Sequence, residues 1–125
     1  MSSSSRSPLV RIETCPTLIR TFYQKNSHHS IADYINEFPS PEIYLYTWRD
    51  ATLKELAYTI IRSAKLGDVK TISFHMILPD FETGGWIMKP LEEIELNSKD
   101  KVYDSTLESY GFQPGYMFDI AYTVY

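Results

Sequence analysis

The sequence predicts an α+β domain, in which several mostly antiparallel strands share one long helix on a single face of the sheet. Two observations carry that prediction. The first is the only stretch with clean helical periodicity: Leu53, Leu56, Ala57, Ile60, Ile61 and Ala64 recur at the spacing of a one-sided apolar stripe. The second is a set of short alternating runs on either side of it, bounded by Pro, Gly or polar turn residues. One helix covers one face only, so the other face of the sheet is expected to be open.

Taken in order, Met1–Ser7 is Ser-rich with one arginine and no apolar core, so it is not a secretory signal. A disordered tail is expected through Glu13, with one domain spanning Thr14 to Tyr125. Thr17–Gln24 has strand composition and follows Pro16. Lys25–Ser30 is a polar turn. Ile31–Pro41 places Ile31, Tyr34, Ile35 and Phe38 at helix-compatible spacing and is closed by prolines, which predicts an excursion with one helical turn. Ile43–Trp48 alternates fully, with Ile43, Leu45 and Thr47 facing one way and Tyr44, Tyr46 and Trp48 the other.

The helix then runs over about Thr52–Lys65. Thr52 and Glu55 fit a capping box, and Gly67 is the expected stop. Thr71–Leu78 is the strongest strand, with Ile72, Phe74, Met76 and Leu78 on one face and Ser73, His75 and Ile77 on the other. A Gly-Gly turn leads to a strand at Trp86–Lys89, which Pro90 makes short or confines to an edge. Leu91–Asp104 is acidic and reads as loop. Thr106–Tyr110 predicts one helical turn ended by Gly111, and Tyr116–Val124 is the last strand, with Asp119 on the face opposite Phe118 and Ile120.

Composition narrows the function. A net charge of −4 over 125 residues lacks the basic footprint of a dedicated nucleic-acid binder. The longest apolar runs fall far short of the roughly 20 residues of a membrane span. A single cysteine, Cys15, forbids an internal disulfide and points to a reducing compartment.

No catalytic set is visible from spacing. His28-His29 has no third metal ligand at a recognisable distance, and no metal or other cofactor is expected; the pair reads as part of a polar turn. Cys15 beside Pro16 reads as a small buried thiol. Glu92, Glu93 and Glu95 read as a solvated face, because acid–base work needs a desolvated carboxyl. His75 reads as a packed or hydrogen-bonded histidine, and neither a Ser-His-Asp arrangement nor a phosphate loop appears. The row Tyr44, Tyr46 and Trp48 has two readings that sequence alone leaves open. It is either a second packing face beneath 31–41, or a docking surface on an edge strand, where a partner peptide adds as a further strand. Trp and Tyr are the residue types most enriched at interface hot spots.

The order of elements and the closing stretch TLESYGFQPGYMFDIAY resemble a ubiquitin-like β-grasp domain, a mixed sheet of about five strands with one main helix on one face. Cys15-Pro16, His28-His29, Ile43–Trp48 and Asp50–Leu56 together resemble the eighteen-kilodalton Sin-associated polypeptide family, with "YTW-x-DATLKEL" the most specific motif. The resemblance covers about Thr14 to Thr123. Two departures are the missing basic, Pro-rich C-terminal tail and the acidic character of 91–104, where that family has a Gly/Ser-rich segment. The resemblance implies a non-catalytic adaptor, nuclear and also compatible with the cytoplasm, that binds peptide segments of larger proteins. The implied partners are the Sin histone-deacetylase corepressor, and Acinus and the serine-rich-domain RNA-binding protein of the apoptosis- and splicing-associated complex. Nucleic acid would be reached only indirectly, and no membrane is involved. Tyr44, Tyr46, Trp48 and Arg49 are the candidate contacts by strand phase, with His75 and Asp119 added as open-face positions. The other classes weighed are direct RNA stacking, which the charge disfavours, a small enzyme, and a ubiquitin-like modifier. A modifier needs a Gly-Gly end, whereas this sequence ends Thr123-Val124-Tyr125.

Overall fold

Alternating runs become strands because each can bury one side chain in two. The computed structural model describes residues 16–97 and 104–125. Five strands, β1 (Thr17–Lys25), β2 (Glu42–Thr47), β3 (Val69–Pro79), β4 (Trp86–Glu95) and β5 (Met117–Val124), form one sheet in the order β2-β1-β5-β3-β4. The last strand inserts between the first and third, parallel to β1 and antiparallel to β3; the outer pairs are antiparallel. This is the ubiquitin-like β-grasp arrangement expected from the closing motif. The expected tail and the Cys15 thiol lie outside the described residues.

The single long helix among the described residues, α1 (Leu53–Ala64), packs its apolar stripe on one face of this sheet. Leu53, Leu56, Ala57 and Ile60 are buried there against Ile19, Leu45, Ile72, Phe74, Phe118 and Ile120. Thr52 caps the first turn, its Oγ1 accepting from the Glu55 amide at 3.2 Å. The stop differs from expectation: Lys65, not Gly67, takes the left-handed turn at φ 55°, and Gly67 makes a second reversal at φ 84° before β3. The 104–112 segment seals the end of the same core. Leu107 donates to the Ala51 carbonyl and Glu108 to that of Arg49, with Leu107 and Phe112 buried beneath.

Two expectations need correction. The loop expected over Leu91–Asp104 loses 91–95, because the strand from Trp86 runs through Pro90 to Glu95; of the two readings of that strand, short or at an edge, the edge placement is the one observed. Its place explains the tolerance. β4 is an edge strand, and the β3–β4 register slips between Ser73 and His75, where Pro90 pairs. The rest of that loop is only partly described, since 98–103 lie outside the described residues.

The second correction is larger, because the face opposite α1 is not open. The 26–41 excursion, with a short 3-10 turn at Ile31–Tyr34, folds across it and encloses a second small core of Phe22, Tyr34, Ile77 and Met117. Phe38 and Trp86 flank that core with edge-on ring contacts, Phe38 meeting Phe22 at 5.6 Å and Trp86 at 5.9 Å between centroids. Asp119 and His75, placed on this face by strand phase, therefore lie beneath a cover.

Candidate docking surface

The two sides of the excursion face differ sharply. Toward β2 it is bare. Leu45 points into the helix-side core, so alternation turns Tyr44 and Tyr46 the other way, where they are 58% and 67% exposed. The β1–β2 register sets Leu18 opposite Tyr46 and Arg20 opposite Tyr44. Leu18 is itself 44% exposed, so three large side chains form one uncovered apolar strip along an edge strand. The first strand's ambiguous alternation hid Leu18, and only the cross-strand register brings it to the tyrosines.

Arg20 bounds the strip. Its guanidinium is paired to Glu42 through Nε and, at 3.1 Å, through Nη2, and it lies 4.5 Å above the Phe38 ring. The hydrogen bonds to Glu42 hold the Arg20 proton more tightly than usual, outweighing the opposing effect of burial. The strip therefore ends on a fixed cation that ties β1, β2 and the excursion together. Trp48 is half-buried at the end of the row. Arg49 is 3.9 Å from Glu108, an exposed pair of little energetic weight.

Farther along the same face, Asp119 is fully buried and accepts four hydrogen bonds from the excursion. Its Oδ1 takes the His28 Nδ1–H at 2.8 Å and the His29 amide at 3.1 Å. Its Oδ2 takes the His29 Nδ1–H at 2.7 Å and the Tyr34 hydroxyl. Burial alone would raise the Asp119 pKa, but the donors from His28, Tyr34 and His29 together hold it below the usual carboxylate value. Burial, reinforced by the bond to this carboxylate, pushes the Tyr34 hydroxyl far up, so it stays a donor. His75 stacks on His28 with ring centroids 3.4 Å apart, and its buried Nδ1 finds no partner among the described residues. Burial, then the neighbouring His28, lowers its pKa and favours the neutral ring. His28-His29, expected as part of a polar turn, is also a pin.

The fold also produces an order of contacts that spacing did not reveal. Asp119 meets His28, whose Nε2 lies 2.9 Å from Ser73 Oγ. That is the contact order of a serine-hydrolase triad, but its setting is that of a scaffold. Ser73 sits mid-strand between Glu93 of β4 and Ala121 of β5. Asp119 is shared with His29 and Tyr34, which hold down the excursion. Among the described residues no cluster of His, Cys, Asp and Glu has the arrangement to hold a metal. Glu92 of the acidic run also has a structural tie, accepting from the Tyr110 hydroxyl at 2.5 Å; burial first, then this bond, raises that hydroxyl's pKa to about 12.

The fold and this surface define a ubiquitin-like domain that presents an aromatic edge strand beside a pinned cover. A family model described as Sin3 associated polypeptide p18 (SAP18) matches residues 8–122, and the chain belongs to this family. Similar proteins that carry the name "Histone deacetylase complex subunit SAP18" include one from human, one from Drosophila melanogaster and one from Arabidopsis thaliana. The human one is 33% identical over 120 residues, covering 93% of this chain and 78% of that protein. The Drosophila melanogaster one is 31% identical over 117 residues, covering 90% and 77%. The Arabidopsis thaliana one is 31% identical over 120 residues, covering 91% and 78%.

Proposed function

We propose that this chain is a non-catalytic adaptor subunit of a nuclear histone-deacetylase corepressor assembly, and that it grips peptide segments of larger subunits along β2. Membership of a family whose relatives are named as histone deacetylase complex subunits supports the assembly. The observation that carries the docking site is the uncovered strip of Tyr44 and Tyr46 on the edge strand β2, with Leu18 beside them on β1. An extended peptide pairing with β2 would use main-chain hydrogen bonds for affinity and the alternate tyrosines for selectivity. Trp48 and Arg49 extend this contact set at the β2 end. Asp119 and His75 leave it, being spent beneath the excursion. The resemblance extends the proposal to RNA-processing assemblies containing Acinus-like and serine-rich-domain RNA-binding partners, reached through the same peptide-binding role.

The test is affinity purification of the tagged full chain from its own cells, with partners identified by mass spectrometry. The wild-type chain recovers deacetylase-complex subunits. The Tyr44→Ala/Tyr46→Ala double variant stays folded, because both rings are exposed, and loses them. Recovery of neither corepressor nor splicing subunits by the wild-type chain would defeat the assembly reading. Full retention of partners by the folded double variant would defeat the docking site.

A further inference from the structure

The sheet has two edges, and they are treated differently. An edge strand offers a row of main-chain donors and acceptors to any other strand, and proteins blunt it with lysine, proline or a break in register. β4 carries all three: Lys89, Pro90 and the slip in pairing between Ser73 and His75. β2, the opposite edge, has neither lysine nor proline between Glu42 and Thr47, and its pairing with β1 runs without a slip.

The register also says which main-chain groups β2 leaves free. The Tyr23 amide donates to the Pro41 carbonyl at 3.3 Å, so these two residues are a hydrogen-bonded pair of the antiparallel ladder. Bonded and unbonded pairs alternate. Thr21–Ile43, Ile19–Leu45 and Thr17–Thr47 are therefore bonded, and Arg20–Tyr44 and Leu18–Tyr46 are not. The other side of β1 agrees, since the Asn26 amide, an even step from Leu18 and Arg20, donates to the Tyr122 carbonyl of β5 at 2.7 Å. The N–H and C=O of Tyr44 and Tyr46 thus point away from β1, and none of them has a partner among the described residues. These are the residues whose rings stand exposed on the excursion face, so main-chain pairing and side-chain contact are offered at the same two positions.

Charge narrows the occupant. Arg20 and Glu42, the ionised groups that border the strip, neutralise each other. Neither is left to compensate a charge brought into register with Tyr44 or Tyr46, and desolvating an unpaired charge is costly. A proline in the pairing stretch would remove a donor.

We propose that a protein partner supplies an extended, proline-free segment that becomes a further strand beside β2, bonded to the N–H and C=O of both Tyr44 and Tyr46, with large uncharged side chains two residues apart packed on the two rings. This rests on the adaptor reading above and adds to it the bonding atoms, the register and the composition of the segment. Either direction of the incoming strand uses the same four groups.

The experiment has two arms on the full chain. In the first, photo-reactive benzoylphenylalanine replaces Tyr44 or Tyr46, the chain is irradiated in its own cells, and the attached positions are mapped by mass spectrometry. The two probes should attach to one segment of one partner, two residues apart, in a proline-free run with uncharged residues at both positions. In the second, amide hydrogen exchange is measured residue by residue on the free chain and on the assembly purified from those cells. Free, the Tyr44 and Tyr46 amides should exchange about tenfold or more faster than those of Ile43 and Leu45; in the assembly they should slow about a hundredfold. The proposal is overturned by attachment to scattered segments, to a charged or proline-containing run, or to β2 of a second copy. It is also overturned if both tyrosine amides are already protected in the free chain. Fast exchange at Tyr44 and Tyr46 within the captured assembly would mean that the rings dock without an added strand, so this inference would fall while the adaptor reading stood. Capture of no assembly by the wild-type chain would defeat both.

Discussion

The two faces of this sheet are covered by different physics. On one side a regular helix buries Leu53, Leu56, Ala57 and Ile60 against the strands, and burial alone specifies the contact. On the other an irregular segment, 26–41, buries only Phe22, Tyr34, Ile77 and Met117, and is held down by polar bonds that converge on one carboxylate. The comparison teaches that a cover without periodicity needs a directional anchor, and that the anchor fixes where the cover ends. Beyond Arg20 it does not reach Tyr44 and Tyr46, and the proposed docking surface begins there.

The first way to break the comparison is to remove the anchor. Asp119→Ala leaves His28, His29 and Tyr34 without their acceptor, and is expected to cost about 3–5 kcal/mol in urea unfolding. A change within about 0.5 kcal/mol would mean the excursion is held by packing instead. The matching lesion on the helix side is Leu56→Ala, expected to cost about 2–5 kcal/mol through the cavity it opens. Tyr34→Phe sharpens the contrast, because it keeps the ring against Phe22 and removes only the hydroxyl bond to Asp119. A charged-acceptor bond of that kind is worth about 1.5–3 kcal/mol, against near zero if the ring alone mattered.

The smallest effect is the pH dependence, and it arises on the excursion face. His75 has a folded pKa below its ordinary value of 6.5, so the unfolded chain takes the proton first. Stability is therefore full above that value and declines as pH falls below it. Asp119 acts in the same direction in a lower window. Its folded value lies below the ordinary 3.8, so its contribution is present above that and is lost as pH falls through the folded value. Urea midpoints measured from pH 7 to pH 3 should show both declines, and His75→Gln should remove the first.

What the sequence made legible follows the same division. The helix, its Thr52 cap, the alternation of β2 and β3, and the outward turn of Tyr44 and Tyr46 were all readable, because each rests on spacing within a dozen residues. The cover was not. His28 and His29 lie 91 and 90 positions from Asp119, and no local pattern links a turn to a strand at that separation. Leu18 escaped for a related reason, since only the β1–β2 register sets it opposite Tyr46. Pro90 left two readings open, a short strand or an edge strand, because its cost depends on whether a strand is central or at an edge, which is a property of the sheet rather than of the segment.

The most direct test of the pinned cover is amide hydrogen exchange at His29, whose N–H donates to Asp119 Oδ1 at 3.1 Å, compared with Ile60 in the helix. The account predicts a protected His29 amide in the wild-type chain. In Asp119→Ala that protection should fall to nearly that of an unfolded chain, while Ile60 retains most of its own. An unprotected His29 in the wild type, or equal losses at both amides in the variant, would contradict it.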